Sequence, residues 1–393
     1  MSPAERRAGI SLAAIFALRM LGLFLILPVF AVHAHQLPGG QDLTMVGLAI
    51  GAYGFTQACL QIAFGAASDR FGRKPVILFG LVLFVLGSVV AALASDIGGI
   101  ITGRVLQGAG AISAAVTALA ADLTRDQHRT KVMAMIGSSI GLVFAGSMVA
   151  APLLYAGVGM SGIFWLTAAL AAGAIGVLLW VVPVAPQVPR ANGGRFIDVL
   201  RDGQLMRLNF GVFALHLIQT TMWVLVPSGL VAGGLALEAH WKVYLPAVLV
   251  SFVVMVPAVI MAERRNRMKV VFNTAVLLLA LVQLGIYLLG DGLVPLAVML
   301  TLFFIAFNVL EATQPSWISR VAPPHAKGTA LGVYNTLQSI GLFLGGVLGG
   351  WLAQHVGRGA VSLSCAALAL AWLALAATMN PPPVRAVPVP ARG

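Results

Sequence analysis

A chain of 393 residues that is 60% hydrophobic and only 9% charged lies far from the water-soluble norm, in which about a quarter of residues carry charge. This excludes a soluble enzyme or scaffold and marks a protein that crosses a membrane many times. The net charge of +12 would suit a nucleic-acid partner if it formed one patch, but it is spread over short segments between apolar runs, so no nucleic acid is expected.

Ser2-Pro3-Ala4-Glu5 opens the chain as a capping box with proline at the first helical position, so a helix starts at the membrane surface and runs into the first span. Twelve apolar runs follow, at about 10–32, 44–66, 76–94, 99–121, 132–153, 161–182, 208–232, 243–262, 270–289, 293–317, 328–353 and 360–379. At 1.5 Å per residue, about 20 residues cross a hydrocarbon core roughly 30 Å thick. The first run is longer than the h-region of a cleavable signal, about 7 to 15 residues, and carries Arg19 in its middle, so it is taken as a retained span. With the N-terminus in the cytoplasm, all but four of the 24 Lys and Arg fall on that side; Lys242 and Arg358 lie outside, and Arg19 and Arg104 lie within spans. That skew places both termini in the cytoplasm. Cys59 and Cys365 each sit in an apolar run, so neither a disulfide framework nor a Cys-based metal site is expected.

The composition shifts once, from Pro183 to Gln204, where prolines, Asn192-Gly193-Gly194 and charged residues interrupt the apolar pattern. The expected organisation is a six-helix bundle over 1–182, a cytoplasmic linker over 183–207, a second six-helix bundle over 208–379 and a proline-rich, disordered tail over 380–393. Within the linker Phe196, Val199 and Leu200 share one helical face, which suits a short interfacial helix; a plain flexible linker fits the same residues. An internal repeat supports the division. Ser139-Ile140-Gly141-Leu142 in the fifth run recurs as Ser339-Ile340-Gly341-Leu342 in the eleventh, with Gly146 matching Gly346. The predicted fold class is therefore an all-α membrane protein of twelve transmembrane helices in two six-helix bundles.

One polar stretch stands out between the second and third runs, Gly65 to Pro75 (GAASDRFGRKP). Its charges cannot face lipid, where each costs about 2.5 to 3.5 kcal/mol even on lenient scales, so the stretch is a short loop at a water interface. Gly65 lets two helices approach, Gly72 permits a turn with positive φ, Asp69 can cap a helix or pair with Arg73, and Arg70 and Lys74 suit an anionic leaflet. Gly65, Asp69-Arg70, Gly72 and Arg73-Lys74 reproduce the pattern G-x-x-x-D-R-x-G-R-K, which resembles the loop between helices two and three of the major facilitator superfamily. Glu263 to Arg267 form a faded counterpart between the eighth and ninth runs. The resemblance implies two bundles related by a pseudo-two-fold axis, and a cluster of Asp69, Arg73 and Asp122 that latches the two halves in one orientation. Arg104, Gln107, Gly108 and Gly110 resemble the R-x-x-Q-G-x-G pattern of the superfamily's fourth helix, which implies a role for Arg104 in proton movement; a helix anchor near the outer surface is the alternative. The first six runs, the polar stretch and Asn308 to Gln314 are most similar to the drug:proton antiporter type, without the soluble C-terminal domain that members can carry. The antiporter signature of a Gly-Pro pair in the fifth helix is replaced by Ala151-Pro152, in which Pro152 keeps the kink.

Glu311, beside Asn308, is the acid placed well inside a span, where it could alternate between protonated and ionised as water reaches it, as a proton-coupled carrier requires; a permanently paired structural acid is the alternative. Arg19 needs an anionic partner, an aqueous cavity, or both; Glu311 and an anionic substrate group are both open. Tyr53, Gln57 and Gln61 recur every four residues along the second run and form one polar stripe suited to a cavity wall. His216, Gln219, Asn335 and Gln338 could face the same space, or serve as interhelical hydrogen bonds. Gly47/Gly51, Gly137/Gly141 and Gly341/Gly345/Gly349 predict close helix contacts.

The expected function is alternating-access secondary transport in a bacterial inner membrane, with proton-coupled efflux of a hydrophobic or amphipathic small molecule. A facilitator or symporter for a metabolite or lipid is the nearest alternative. A membrane-embedded enzyme is disfavoured, because no G-x-x-x-x-G-K loop and no H-E-x-x-H motif occurs. The expected partners are the substrate and the bilayer, the expected state is a monomer, and no cofactor or metal is expected beyond the proton as coupling ion.

Overall fold

Helices follow one another with few residues between them, because the chain is punctuated by glycine, proline and capping side chains where its apolar runs end. The computed structural model describes residues 1–183, 196–290, 292–323 and 326–381. Residues 184–195 of the expected linker and most of the proline-rich tail therefore lie outside the described residues, among which no strand occurs.

The first span is α1 (Pro3–Phe24) and α2 (Leu27–Ala34). Ser2 and Glu5 form the expected capping box, and the chain breaks ahead of Pro28, whose ring cannot coexist with the carbonyl one turn back. The second and third spans are α3 (Leu43–Phe71) and α4 (Arg73–Leu93). The expected loop between them shrinks to one residue: Gly65 to Phe71 continue the helix, Gly72 turns the chain at φ 96°, and Arg73 already opens α4. The fourth span is split into α5 (Ile97–Ala109) and α6 (Ser113–Asp122) by a break at Gly110. α7 (Asp126–Gly176) and the π-helical turn Val177–Val181 follow.

α8 (Phe196–Arg201) is the short helix foreseen in the linker; Val199 is buried against the neighbouring helices and Leu200 is exposed. Then come α9 (Gly203–Ala232), capped by the Asp202 carboxylate, and α10 (Trp241–Arg264), α11 (Met268–Leu289), α12 (Leu293–Val321), α13 (Lys327–His355) and α14 (Arg358–Ala377). Among the described residues, eleven helical stretches are long and apolar enough to cross a membrane. One of them, Gln127–Val181, has 55 residues, about 80 Å of helix, and breaks at Gly159 (φ 64°, ψ −173°). Counting it as two gives the twelve spans expected. Pro152 lies inside α7, and the break falls at Gly159 instead.

The helix ends define two faces. A basic face carries the N-terminus, the Gly72 turn and the junctions after α6, α10 and α12; the opposite face carries the junctions after α2, α4 and α9. Near the opposite face α3 and α13 touch backbone to backbone. A Cβ added to Gly47 would lie 2.0 Å from the Gly346 carbonyl oxygen, and one on Gly350 would lie 2.2 Å from that of Leu43. The Leu43 amide donates to Gln354 Oε1 (3.0 Å). Gly341 and Gly345 are pressed against the α9 carbonyls of Phe213 and Leu217. The expected close contacts thus hold along α3, α9 and α13.

They fail on α7. Gly137 and Gly141 share a helical face with Phe144 and Met148, which pack against helices of the C-terminal half. One and two turns closer to the basic face, nothing among the described residues stands within 4 Å of a Cβ at either glycine. The same change occurs on α13, where Gly332 and Gly328 continue the face of Ser339 and Gly346 and again meet nothing. The two halves therefore press together toward the opposite face and splay apart toward the basic face. Where they first meet, Phe144 of α7 contacts Phe24 of α1 (5.2 Å between centroids) and Phe304 and Phe307 of α12 (5.9 and 6.2 Å), an aromatic floor to the cleft.

Candidate functional site

Two polar clusters occur at the depth of this floor, one on each side of the cleft. The first is built on Arg19, which is only 1% exposed. Its Nη2 donates to Tyr53 Oη (2.6 Å), the Gly110 carbonyl (3.0 Å) and Gln57 Oε1 (3.3 Å), and Nη1 reaches Ser113 Oγ at 3.4 Å. The break between α5 and α6 matters here, because it presents the Gly110 carbonyl sideways to α1. The guanidinium also stacks on the rings of Tyr53 and Phe84, and Nε has no partner. Sequence reasoning left the partner of Arg19 open; Glu311 is not it, and every contact of the guanidinium is to a neutral group.

Arg104 is buried alongside. It donates to Gln107 Oε1 (2.9 Å) and to the α3 carbonyls of Ala49 and Ile50 (3.3 Å each), and sits over the Tyr53 ring at 5.2 Å. Gln107 in turn donates to Ser88 Oγ (2.9 Å). These contacts clamp α5 on α3 inside the protein.

The second cluster joins three helices of the C-terminal half. His216 of α9 places Nε2 at 3.6 Å from Glu311 Oε2 of α12 and at 2.7 Å from Gln338 Nε2 of α13. Its Nδ1 faces the Val212 carbonyl at 3.0 Å, so Nδ1 carries a hydrogen and Nε2 is free to accept from Gln338 when the ring is neutral. The ring is buried and edge-on to Phe307. Glu311 is different: its side chain is 39% exposed, while Oε2 is buried with no hydrogen bond. One carboxylate oxygen is thus left within a small movement of an imidazole nitrogen. An acid able to pass its proton either to water or to a histidine is what this geometry provides.

The remaining polar residues divide. Gln57 spans the halves, its amide donating to Ser339 Oγ (3.0 Å) while its oxygen accepts from Arg19. Asn308 is turned away to donate to Ser251 of α10 (2.8 Å) and acts as an interhelical tie. Gln61 and Gln219 are buried, and Gln61 has neither amide atom partnered; Asn335 is half-buried. Ser113, Phe84, Ser339 and the Gly110 carbonyl were not foreseen. Nothing in their spacing signals them, because each is recruited by a residue on a distant helix.

At the basic face, Arg73 pairs with Asp69 (2.6 Å) and Asp122 (3.1 Å) and donates to Ser68 Oγ (2.7 Å). Lys74 caps the Val182 carbonyl (2.6 Å), and Arg70 lies over the Phe71 ring. Gly65 meets only Ala114 Cβ, at an ordinary 3.7 Å, so close helix approach does not explain it. The ion pairs of Arg73 join α3, α4 and α6. These helices all belong to the first half. The counterpart expected at Glu263 to Arg267 pairs across helices too: Glu263 of α10 accepts from Arg320 and Ser316 of α12.

A twelve-span helical protein with a polar cleft between its halves has the form of a membrane transporter, and comparison with known proteins agrees. The family model of the Major Facilitator Superfamily matches residues 12–346 and 208–393. The inner membrane transport protein YajR of Escherichia coli K12 is 45% identical over 388 residues, covering 98% of this chain and 85% of that one. The multidrug resistance protein MdtH of Yersinia enterocolitica is 26% identical over 350 residues, 85% of this chain and 83% of that one. Among solved structures, the human organic anion transporter MFSD10 (TETRAN) superimposes with a TM-score of 0.72 at 20% identity, over 95% of this chain and 100% of that one. A bacterial homolog of the human lysosomal transporter Spinster does so with 0.73 at 12% identity, over 96% and 97%. The chain belongs to the Major Facilitator Superfamily. It is a multi-pass membrane transporter and not an enzyme.

Proposed function

We propose that the protein is a proton-coupled exporter of hydrophobic or amphipathic small molecules, monomeric in the bacterial inner membrane, with both termini in the cytoplasm. One observation carries the coupling claim: Glu311 stands on the cleft wall with an unpartnered oxygen 3.6 Å from His216 Nε2. The descriptions of the relatives as an inner membrane transport protein and as a multidrug resistance protein support the location and the direction.

In this reading two bundles, residues 1–182 and 208–379 joined through 183–207, rock about the α3–α13 contact. The cleft of this structure then opens to the cytoplasm. While Glu311 is ionised and the cleft holds no substrate, closing it would strand a charge in a medium that penalises it by several kcal/mol. Once protonated, whether directly or by sharing with His216, it can be enclosed. A returning carrier thus brings a proton inward, loses it to the open cleft and takes substrate in its place. The Arg73 cluster holds the basic ends of α3, α4 and α6 as one block, so the first bundle moves as a unit. No cofactor is needed beyond the transported proton.

The test uses proteoliposomes and three amphipathic fluorescent reporters, one anionic, one neutral and one cationic. Wild-type protein moves at least one of them uphill when a pH gradient is imposed, and Glu311→Gln loses the uphill movement while keeping exchange. Flux that never responds to the gradient in wild type removes the coupling claim.

A further inference from the structure

We propose that Arg19, screened from the cleft by Gln57 and Ser113, is the receptor for a negatively charged head group, so that the substrate is an amphipathic monoanion. This rests on the transporter reading and names the substrate class of its cleft.

Arg19 and Arg104 place two guanidinium groups on one Tyr53 ring, at 5.7 and 5.2 Å from its centroid, and all their hydrogen bonds go to phenol, amide, hydroxyl and carbonyl oxygens. A buried cation without an anion is expensive, and the intramembrane acid that could neutralise one, Glu311, stands beside His216 on the other side and makes no contact with either arginine.

The two arginines are not equivalent. Arg104 is held by a neighbour on its own helix and by two backbone carbonyls, which a ligand cannot replace. Arg19 keeps two strong contacts, to Tyr53 and Gly110, and two long ones, to Gln57 Oε1 at 3.3 Å and Ser113 Oγ at 3.4 Å. Gln57 and Ser113 are both partly exposed, so they lie between the guanidinium and the cleft. Nε has no partner at all. A carboxylate, sulfonate or phosphate that displaces the two long contacts gains a charge-assisted and, with Nε, a forked pair. The rest of the molecule meets an apolar wall, since Phe24 and Phe144 lie beyond Arg19 toward the opposite face.

Such an anion could be a soluble organic acid or a lipid head group, and the experiment separates them. Thermal unfolding of purified protein in neutral detergent, without any gradient, is followed with 2-naphthalenesulfonate against uncharged 2-naphthylmethanol, and with oleoyl-lysophosphatidylglycerol against uncharged monoolein. In wild type at least one anion raises the midpoint above its uncharged counterpart in a dose-dependent way; the sulfonate arm alone indicates a soluble anion, the lysolipid arm alone a lipid head group. Arg19→Gln weakens the effect at least tenfold in concentration. Arg6→Gln combined with Arg7→Gln, at the exposed N-terminus, leaves it unchanged. Because Arg19→Gln can compromise folding, Gln57→Glu is the second variant: it supplies an internal anion, so it raises the midpoint of the empty protein and abolishes the response to added anion. The proposal is overturned if neither anion outperforms its uncharged counterpart, or if Gln57→Glu responds as wild type does. Failure of the proton-coupling test leaves this binding result standing, and the reverse holds too.

Discussion

Single charged side chains decide most of what this protein can do, because in a low-dielectric interior each must be answered by a specific neighbour. Arg104 shows the structural case. Its fork reaches Gln107 and two α3 carbonyls at once, which a flexible ammonium cannot reproduce. Arg104→Lys is therefore expected to destabilise the protein by about 2 kcal/mol, the size of a hydrogen bond to a charged group, while pH-driven flux per folded molecule persists. Denaturant unfolding together with flux measurement checks this, and an unchanged stability with lost coupling would return Arg104 to the proton path. Glu311 and Arg19 were legible from the sequence for the same energetic reason, since an ionised group inside an apolar run must have a purpose. Their partners were not. His216 and Gln338 are 122 residues apart, and no spacing rule connects side chains on helices whose relative rotation the sequence does not state.

At the level of helices, small residues act as a zip along one half of the α3–α13 contact and as a gap along the other half of the same faces. Gly346 lies so close to α3 that an added Cβ falls 2.3 Å from the Gly47 carbonyl, well inside van der Waals contact. Gly346→Val should therefore push the opposite-face ends of α3 and α13 apart. Spin labels at Gln41→Cys and His355→Cys, both exposed ends, should report a longer mean distance in the Gly346→Val background than without it; an unchanged distance would mean that the zip does not hold this face shut. The sequence located this stripe but could not tell which glycines are used. Gly47 and Gly51 on α3 and Gly137 and Gly141 on α7 look alike as small pairs four apart, yet only the first pair is covered, because the present arrangement of the halves brings helices together there. Helix ends erred for a related reason. α3 runs through Asp69 and Arg70 to Phe71, past the apolar run, since helical hydrogen bonding does not stop where hydrophobicity does and ends only at Gly72.

For the molecule as a whole, hydropathy and charge were sufficient for twelve spans, because satisfying every backbone group in lipid leaves helices as the solution for such apolar runs. The orientation of the two halves was not legible. It is a balance between arrangements of similar energy, and composition does not contain it. In the proposed cycle the balance of the substrate-free protein depends on one proton: ionised Glu311 keeps the basic face open, and neutral Glu311 permits closure and opening of the opposite face. Electron spin distance measurements in lipid nanodiscs test this directly, with one label pair at Gln41→Cys and His355→Cys and another at Phe71→Cys and Lys327→Cys. At a pH where Glu311 is ionised, wild type should show one population, short at the first pair and long at the second. Acidification, or Glu311→Gln at any pH, should add a second population with the order reversed, and the Glu311→Gln distribution should no longer respond to pH. Distributions that are the same in wild type and Glu311→Gln across the whole pH range would contradict a cycle gated by this proton.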